Sequence, residues 1–128
     1  MKLLLDTHAF IWFVDGNPKL SSAARTAIDN IENPVYLSVA SVWELAILVS
    51  LKRITLQRTV KEYVALYTDR NAIDLRAVTI DHVEGIVHLP FHHRNPFDRL
   101  LIAQAKFHDL TLISADGTFK QYDVNILW

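Results

Sequence analysis

The stretch "NPFDRLLIAQAKFHDLTLIS", Asn95 to Ser114, holds one complete helix-to-strand unit. Asn95 can cap, Pro96 suits the first helical position and Asp98 puts an acid in the first turn, so a helix is predicted from Pro96 to His108. Asp109 marks the turn that follows. "TLISA", from Thr111, is a short apolar run without polar alternation, which reads as a strand buried on both faces. A strand with both faces buried belongs to a parallel sheet covered by crossover helices. The rest of the chain repeats the alternation. "KLLLD", "PVYLS", "IDLRAV" and "VNILW" read as the other strands, and the first, second and last of these also lack clean polar alternation. Helices are predicted over Thr7 to Val14, Ser21 to Glu32, Val39 to Leu51, Val60 to Arg70 behind the capping-box pattern "TVKE", and Asp81 to His88. The pattern implies an α/β three-layer sandwich with a central, mainly parallel sheet, as a single domain over residues 1–128.

Composition narrows the class. With 51% hydrophobic and 21% charged residues, and only 3 Gly and 4 Pro, the 128 residues suit a compact core rather than a linker. The absence of Cys excludes a disulfide framework and a thiolate zinc site, and points to a reducing, cytoplasmic setting. The opening "LLL" is broken by Asp6, and no apolar run approaches the ~18 residues of a membrane span, so neither signal peptide nor anchor is expected.

Four acids stand out against this background. Asp6 directly follows the first strand and Asp116 lies just beyond the fourth, which puts both at the carboxyl edge of the sheet, where open α/β folds gather ligands. Asp98, at the start of its helix, can reach the same edge. Glu44 interrupts the apolar helix "SVASVWELAILVSL" and requires a partner there. Each has a plainer reading. Asp98 suits the helix dipole, Asp6 and Asp116 are ordinary strand-end and turn residues, and Glu44 completes a capping box if Ser41, rather than Ser38, is the cap. If the four converge, their repulsion calls for protons or cations, about 4 kcal/mol for a pair ~4 Å apart at an effective dielectric of 20. An all-oxygen donor set favours magnesium or manganese. The pair His92-His93 lacks the helical spacing of a zinc hydrolase and reads as polar loop within reach of a substrate phosphate. Thr7, Ser41 and Ser114 lie beside the acids and are read as bonding local backbone. The net charge of −1 argues against a nucleic-acid partner until the four carboxylates are neutralised, which changes −1 to +3. "KRITLQRTVK" adds a further basic stretch, equally readable as a solvated face.

"LLLDTHAFIW", "LSVASVWELAI", "FHHRNPFDRLLIAQA" and "LTLISADGTFKQYDVNILW" occur in the order, and with the acids, that resemble the PIN domain, specifically the VapC toxin branch of bacterial toxin–antitoxin pairs. The resemblance spans essentially the whole chain, and "PFDRLLIAQA" and "LDTH" are its most distinctive parts. It implies a magnesium- or manganese-dependent endoribonuclease whose catalytic, metal-holding acids match Asp6, Glu44, Asp98 and Asp116. Beside them Arg94 and Arg99 are candidates for substrate phosphate contacts, with a structural salt bridge as the alternative for each. The resemblance also implies a small antitoxin partner and a homodimer. The apolar helix "HAFIWFV", with Phe10, Trp12 and Phe13, offers a surface for either partner or, alternatively, simple core. A response-regulator-like domain shares an acidic strand edge but not this motif order. A PIN nuclease of RNA processing and a catalytically silent PIN-like interaction module are the remaining alternatives.

Overall fold

The computed structural model describes all 128 residues. Five strands, β1 (Leu3–Leu5), β2 (Val35–Ser38), β3 (Ile73–Arg76), β4 (Thr111–Ile113) and β5 (Ile126–Leu127), form one sheet. Its order is β3-β2-β1-β4-β5 and every ladder is parallel. Six helices flank it: α1 (Thr7–Asp15), α2 (Ser22–Asp29), α3 (Val39–Ser50), α4 (Val60–Arg70), α5 (Ile80–Val87) and α6 (Pro96–His108). The predicted sandwich is therefore the observed one, and its sheet is wholly parallel. No helix is long and apolar enough to cross a membrane.

The residues of β1 explain the layering. Leu3, Leu4 and Leu5 are all 0% exposed. Leu3 and Leu5 pack into a core with α1, α2 and α4, whereas Leu4 joins Leu101, Ile102 and Leu112 under α6. Successive side chains of a strand point to opposite faces, so an unbroken leucine run requires a layer on each.

Turn chemistry fixes the ends of α6. Asn95 accepts the backbone N–H groups of Phe97 and Asp98 at 3.0 and 3.2 Å, and Pro96 follows at the first helical position. Asp109 ends the helix in the left-handed region, at φ 54°, which Asp tolerates better than most residues. Ser38 caps α3, so Ser41 and Glu44 lie inside that helix, not at its start.

The helix "HAFIWFV" finds most of its cover within the chain. Phe10 is buried edge-to-face against Tyr63, and Trp12, Phe13 and Val14 are half-buried against the same core. Phe10 is core, while Trp12, Phe13 and Val14 keep part of their surface exposed. The exposed apolar side chains lie elsewhere, among them Ile80, Val83 and Val87 of α5 and Trp43 of α3.

Candidate active site

Read along the sheet, the connections run outward one way from β1 through β2 to β3, and the other way from β4 to β5. The strand order therefore reverses between β1 and β4, and a crevice opens there at their carboxyl ends. Asp6 is the first residue beyond β1, and Asp116 lies three beyond β4. Helix α6 returns to the sheet before β4 and brings its amino end, with Asp98, to the same edge. Helix α3 leaves directly from β2 and carries Glu44 there. All four acids line one cleft of about 400 Å³, together with Thr7, His8, Trp12, Asn95 and Phe119.

Each carboxylate is held differently. Asp6 caps α1, its Oδ1 accepting the Ala9 N–H at 2.7 Å. Burial raises its pKa, the Ser114 hydroxyl, the Ala9 N–H and the His8 side chain pull it down, and the charge of Glu44 adds to the rise. Glu44 gains its required partner from the buried Thr7, whose hydroxyl donates to Oε1. Asp116 is exposed and caps a short 3-10 helix, Gly117–Gln121, accepting the Thr118 N–H at 2.9 Å. The turn role open to Asp116 from sequence is thus one it performs, while still facing the cleft.

Asp98 does not cap α6, because Asn95 takes that task. Its Oδ2 lies 3.2 Å from Nε2 of His93. Burial pushes the Asp98 carboxyl up to about 6; the hydrogen bond and charge of His93 oppose that shift, and the charges of Glu44 and Asp116 reinforce it. The acids therefore raise one another's pKa across the cleft, after burial and His93 have had the larger effects.

One reading from sequence needs correction. Arg99 is no phosphate contact. It is 5% exposed, and its guanidinium donates to the carbonyls of Pro90 (2.8 Å), Ile86 (3.3 Å), Leu89 (3.3 Å) and His93 (3.5 Å) and to the Tyr122 hydroxyl (3.3 Å). Its fork is filled by loop carbonyls, and no carboxylate pairs with it. The other candidate, Arg94, is exposed beside the cleft-lining Asn95 and stacks over Phe91, 5.5 Å from the ring centroid. Among the hydroxyls, Thr7 serves Glu44 instead of local backbone, Ser114 accepts the Asp116 N–H at 3.1 Å, and the buried Ser41 Oγ has no partner. The residues that sequence reasoning left out are His8, Trp12, Asn95 and Tyr122, together with the direct bond from His93 to Asp98. Only the "HH" doublet beside "NPFD" hinted at the last.

The donor set suits a hard cation. It consists of carboxylate oxygens whose like charges His8 and His93 offset only in part, and a cation would relieve their repulsion. No three His, Asp or Glu side chains stand close enough together to hold one ion by themselves. An ion here would be held through water as much as by carboxylate, which is how magnesium is usually bound.

Against known proteins, the PIN domain family profile matches residues 3–125. No curated protein matches the sequence. Several solved structures share the fold. VapBC2 from Rickettsia felis, bound to a DNA fragment from its promoter, superposes with a TM-score of 0.74 at 14% identity, covering 99% of this chain and 98% of that one. FitAcB from Neisseria gonorrhoeae gives 0.65 at 23% identity, with 98% and 96% covered. A toxin–antitoxin complex from Klebsiella pneumoniae gives 0.65 at 17%, with 98% and 96% covered. A parallel sheet with its acids gathered at the β1/β4 reversal, and a profile match over nearly every residue, establish that the chain belongs to the PIN domain family.

Proposed function

We propose that this protein is a magnesium- or manganese-dependent endoribonuclease and the toxin of a VapBC-type toxin–antitoxin pair. The observation that carries the reading is the convergence of Asp6, Glu44, Asp98 and Asp116, from four separate segments, on one cleft where their charges oppose one another. A cluster of that kind is costly unless a cation offsets it.

Asp6 and Asp98 would be the principal cation holders, with Glu44 and Asp116 completing the set directly or through water. When bound, the cation supplies charge neutralisation for the phosphodiester and makes water a stronger acid. The chain's own groups do the rest. Thr7 fixes one oxygen of Glu44, leaving Oε2 to take the proton that an attacking water gives up. Trp12 in the cleft and the exposed Trp43, edge-to-face with Phe97 at 4.9 Å, offer ring surfaces on which unpaired bases can stack.

The toxin assignment draws on the sequence resemblance and on the likeness to solved toxin–antitoxin complexes. In this reading the protein acts in the cytoplasm, as a homodimer, and is restrained by a small antitoxin whose tail reaches the acidic cleft.

The test is cleavage of a panel of transfer RNAs and ribosomal RNA fragments by protein stripped with a chelator, then supplied with magnesium or manganese. Cleavage restricted to the metal-loaded samples is expected. Equal cutting by the stripped protein would overturn the mechanism. Co-expression with the product of a short adjacent reading frame should relieve growth arrest and yield a complex; failure of both would remove the toxin role.

A further inference from the structure

Asp98 sits at the end of a chain of hydrogen bonds whose direction can be deduced. Arg99 can only donate, so the contact between its Nη1 and the Tyr122 oxygen, 3.3 Å, makes that oxygen an acceptor. The His93 backbone N–H donates to the same oxygen at 3.3 Å. With both lone pairs taken, the Tyr122 hydroxyl has its own hydrogen to give, and Nδ1 of His93 lies 2.8 Å away. An Nδ1 that accepts leaves the ring proton on Nε2, which faces Asp98 Oδ2 at 3.2 Å. Every donor and acceptor in the series is then satisfied by one arrangement, and Asp98 keeps Oδ1 without a protein partner.

The same guanidinium also ties the end of α5, through the Ile86 carbonyl, to the loop that carries His93, through the carbonyls of Leu89 and Pro90. Because Arg99 follows Asp98 directly, the series closes on itself. The residue after the carboxylate anchors the loop and the tyrosine that aim a histidine back at that carboxylate.

We propose that His93 is a positioning residue, aimed by Tyr122 and Arg99, which fixes the Asp98 carboxylate with Oδ1 turned free for a divalent cation. This rests on the cation-dependent nuclease reading above. Groups that orient a metal-holding side chain in this way commonly carry 10–100-fold of metal affinity. A purely structural role for the same bonds would alter stability and leave affinity untouched.

The experiment is a manganese(II) titration, followed by electron paramagnetic resonance, of the full-length protein and its variants well below their melting temperatures. Asp98→Asn, His93→Ala and Tyr122→Phe should each bind manganese about ten-fold or more weakly. His93→Gln, whose amide nitrogen can stand in for Nε2–H, should recover part of the loss. His93→Ala added to Asp98→Asn should cost nothing further. Tyr122→Phe keeps the ring packing, so it carries the test if His93→Ala does not fold. Parent-like affinity in His93→Ala and Tyr122→Phe beside a weakened Asp98→Asn overturns the positioning role alone. An additive loss in the double variant overturns it too, because His93 would not then act through Asp98. Parent-like affinity in Asp98→Asn overturns both this inference and the cation reading. Nitrogen-15 shifts of the imidazoles give a check free of metal: a proton on Nε2 of His93 is expected, and a proton on Nδ1 would contradict the series.

Discussion

Asp98 is asked to sit at the start of a helix, inside a cleft, beside two other acids and a histidine, and these demands affect its stability differently. Its pKa of about 6 in the folded protein lies above the ordinary value of 3.8, with burial as the largest cause. The metal-free fold therefore binds this proton more tightly than the unfolded chain does. The resulting stability is fully present below about pH 4 and is lost as pH rises through 6. Asp98→Asn cannot ionise, so without metal it should be about 1–3 kcal/mol more stable than the parent at pH 7 and no more stable at pH 4. Magnesium at a hundred times its dissociation constant should add about 2.7 kcal/mol to the parent and much less to the variant. Thermal melts at both pH values, with and without magnesium, check both signs, beside an RNA cleavage rate expected to fall ~100-fold or more. A variant less stable at pH 7 that still cuts RNA would return Asp98 to the helix start. The sequence places this acid at the third position of its helix and offers Asn95 as the cap; it does not reveal that His93 meets the carboxylate left available.

At the scale of elements, α6 organises the loop before it through Arg99. Arg99→Met keeps the stem buried and leaves the carbonyls of Leu89, Pro90 and His93 without their donor, while the Ile86 carbonyl keeps the Leu89 N–H and the Tyr122 oxygen keeps the His93 N–H. A loss of about 2–4 kcal/mol is expected from unsatisfied buried groups, with faster hydrogen exchange over residues 88–95 than elsewhere. Unchanged exchange there would remove the clasp. The contact between α5 and α6 carries a second pH response. His82 and His108 meet through their Nε2 atoms at 2.7 Å, and burial, with the charge of Arg76, lowers both pKa values. The unfolded chain therefore takes up these protons more readily, and the stability they contribute is lost as pH falls below about 6.5. His108→Gln should flatten that acid limb in melts between pH 7 and 5; an equally steep limb would place its origin elsewhere. These two elements also show what local chemistry encodes. The bounds of α4 and α6 agree with the sequence reading to the residue, because Thr59, Asn95 and Pro96 act within one turn of themselves. The bond from His93 to Tyr122 spans 29 residues, and nothing near either residue announces the other. The buried fate of Arg99 was hidden for the same reason: its partners are carbonyls, which carry no sequence signature.

For the molecule as a whole, the apparent obstacle to RNA is its formal charge of −1. Four of the negative groups share one cleft, so under the proposed nuclease reading a bound cation would change the field there, where the phosphodiester is to lie, and leave the rest of the surface unchanged. RNA should bind at least ten-fold more weakly in chelator than in calcium, a hard divalent cation that also takes carboxylate oxygens, by filter retention, and equal binding would locate the RNA surface outside the cleft. The fold was legible because alternating apolar runs and capped helices are local signals, and the reversal of strand order then places Asp6 and Asp116 without further information. Parallel pairing also sets a schedule. Leu3 lies beside Val35 on one side and beside Thr111 on the other, so the central strand is made first and its last neighbour waits for most of the chain. At about 5–20 residues per second, Asp6 precedes Asp116 out of the ribosome by roughly 5–20 s. Throughout that interval the acid cluster is incomplete, and the cleft between β1 and β4 waits for its last wall, at Ala115, Asp116 and Phe119.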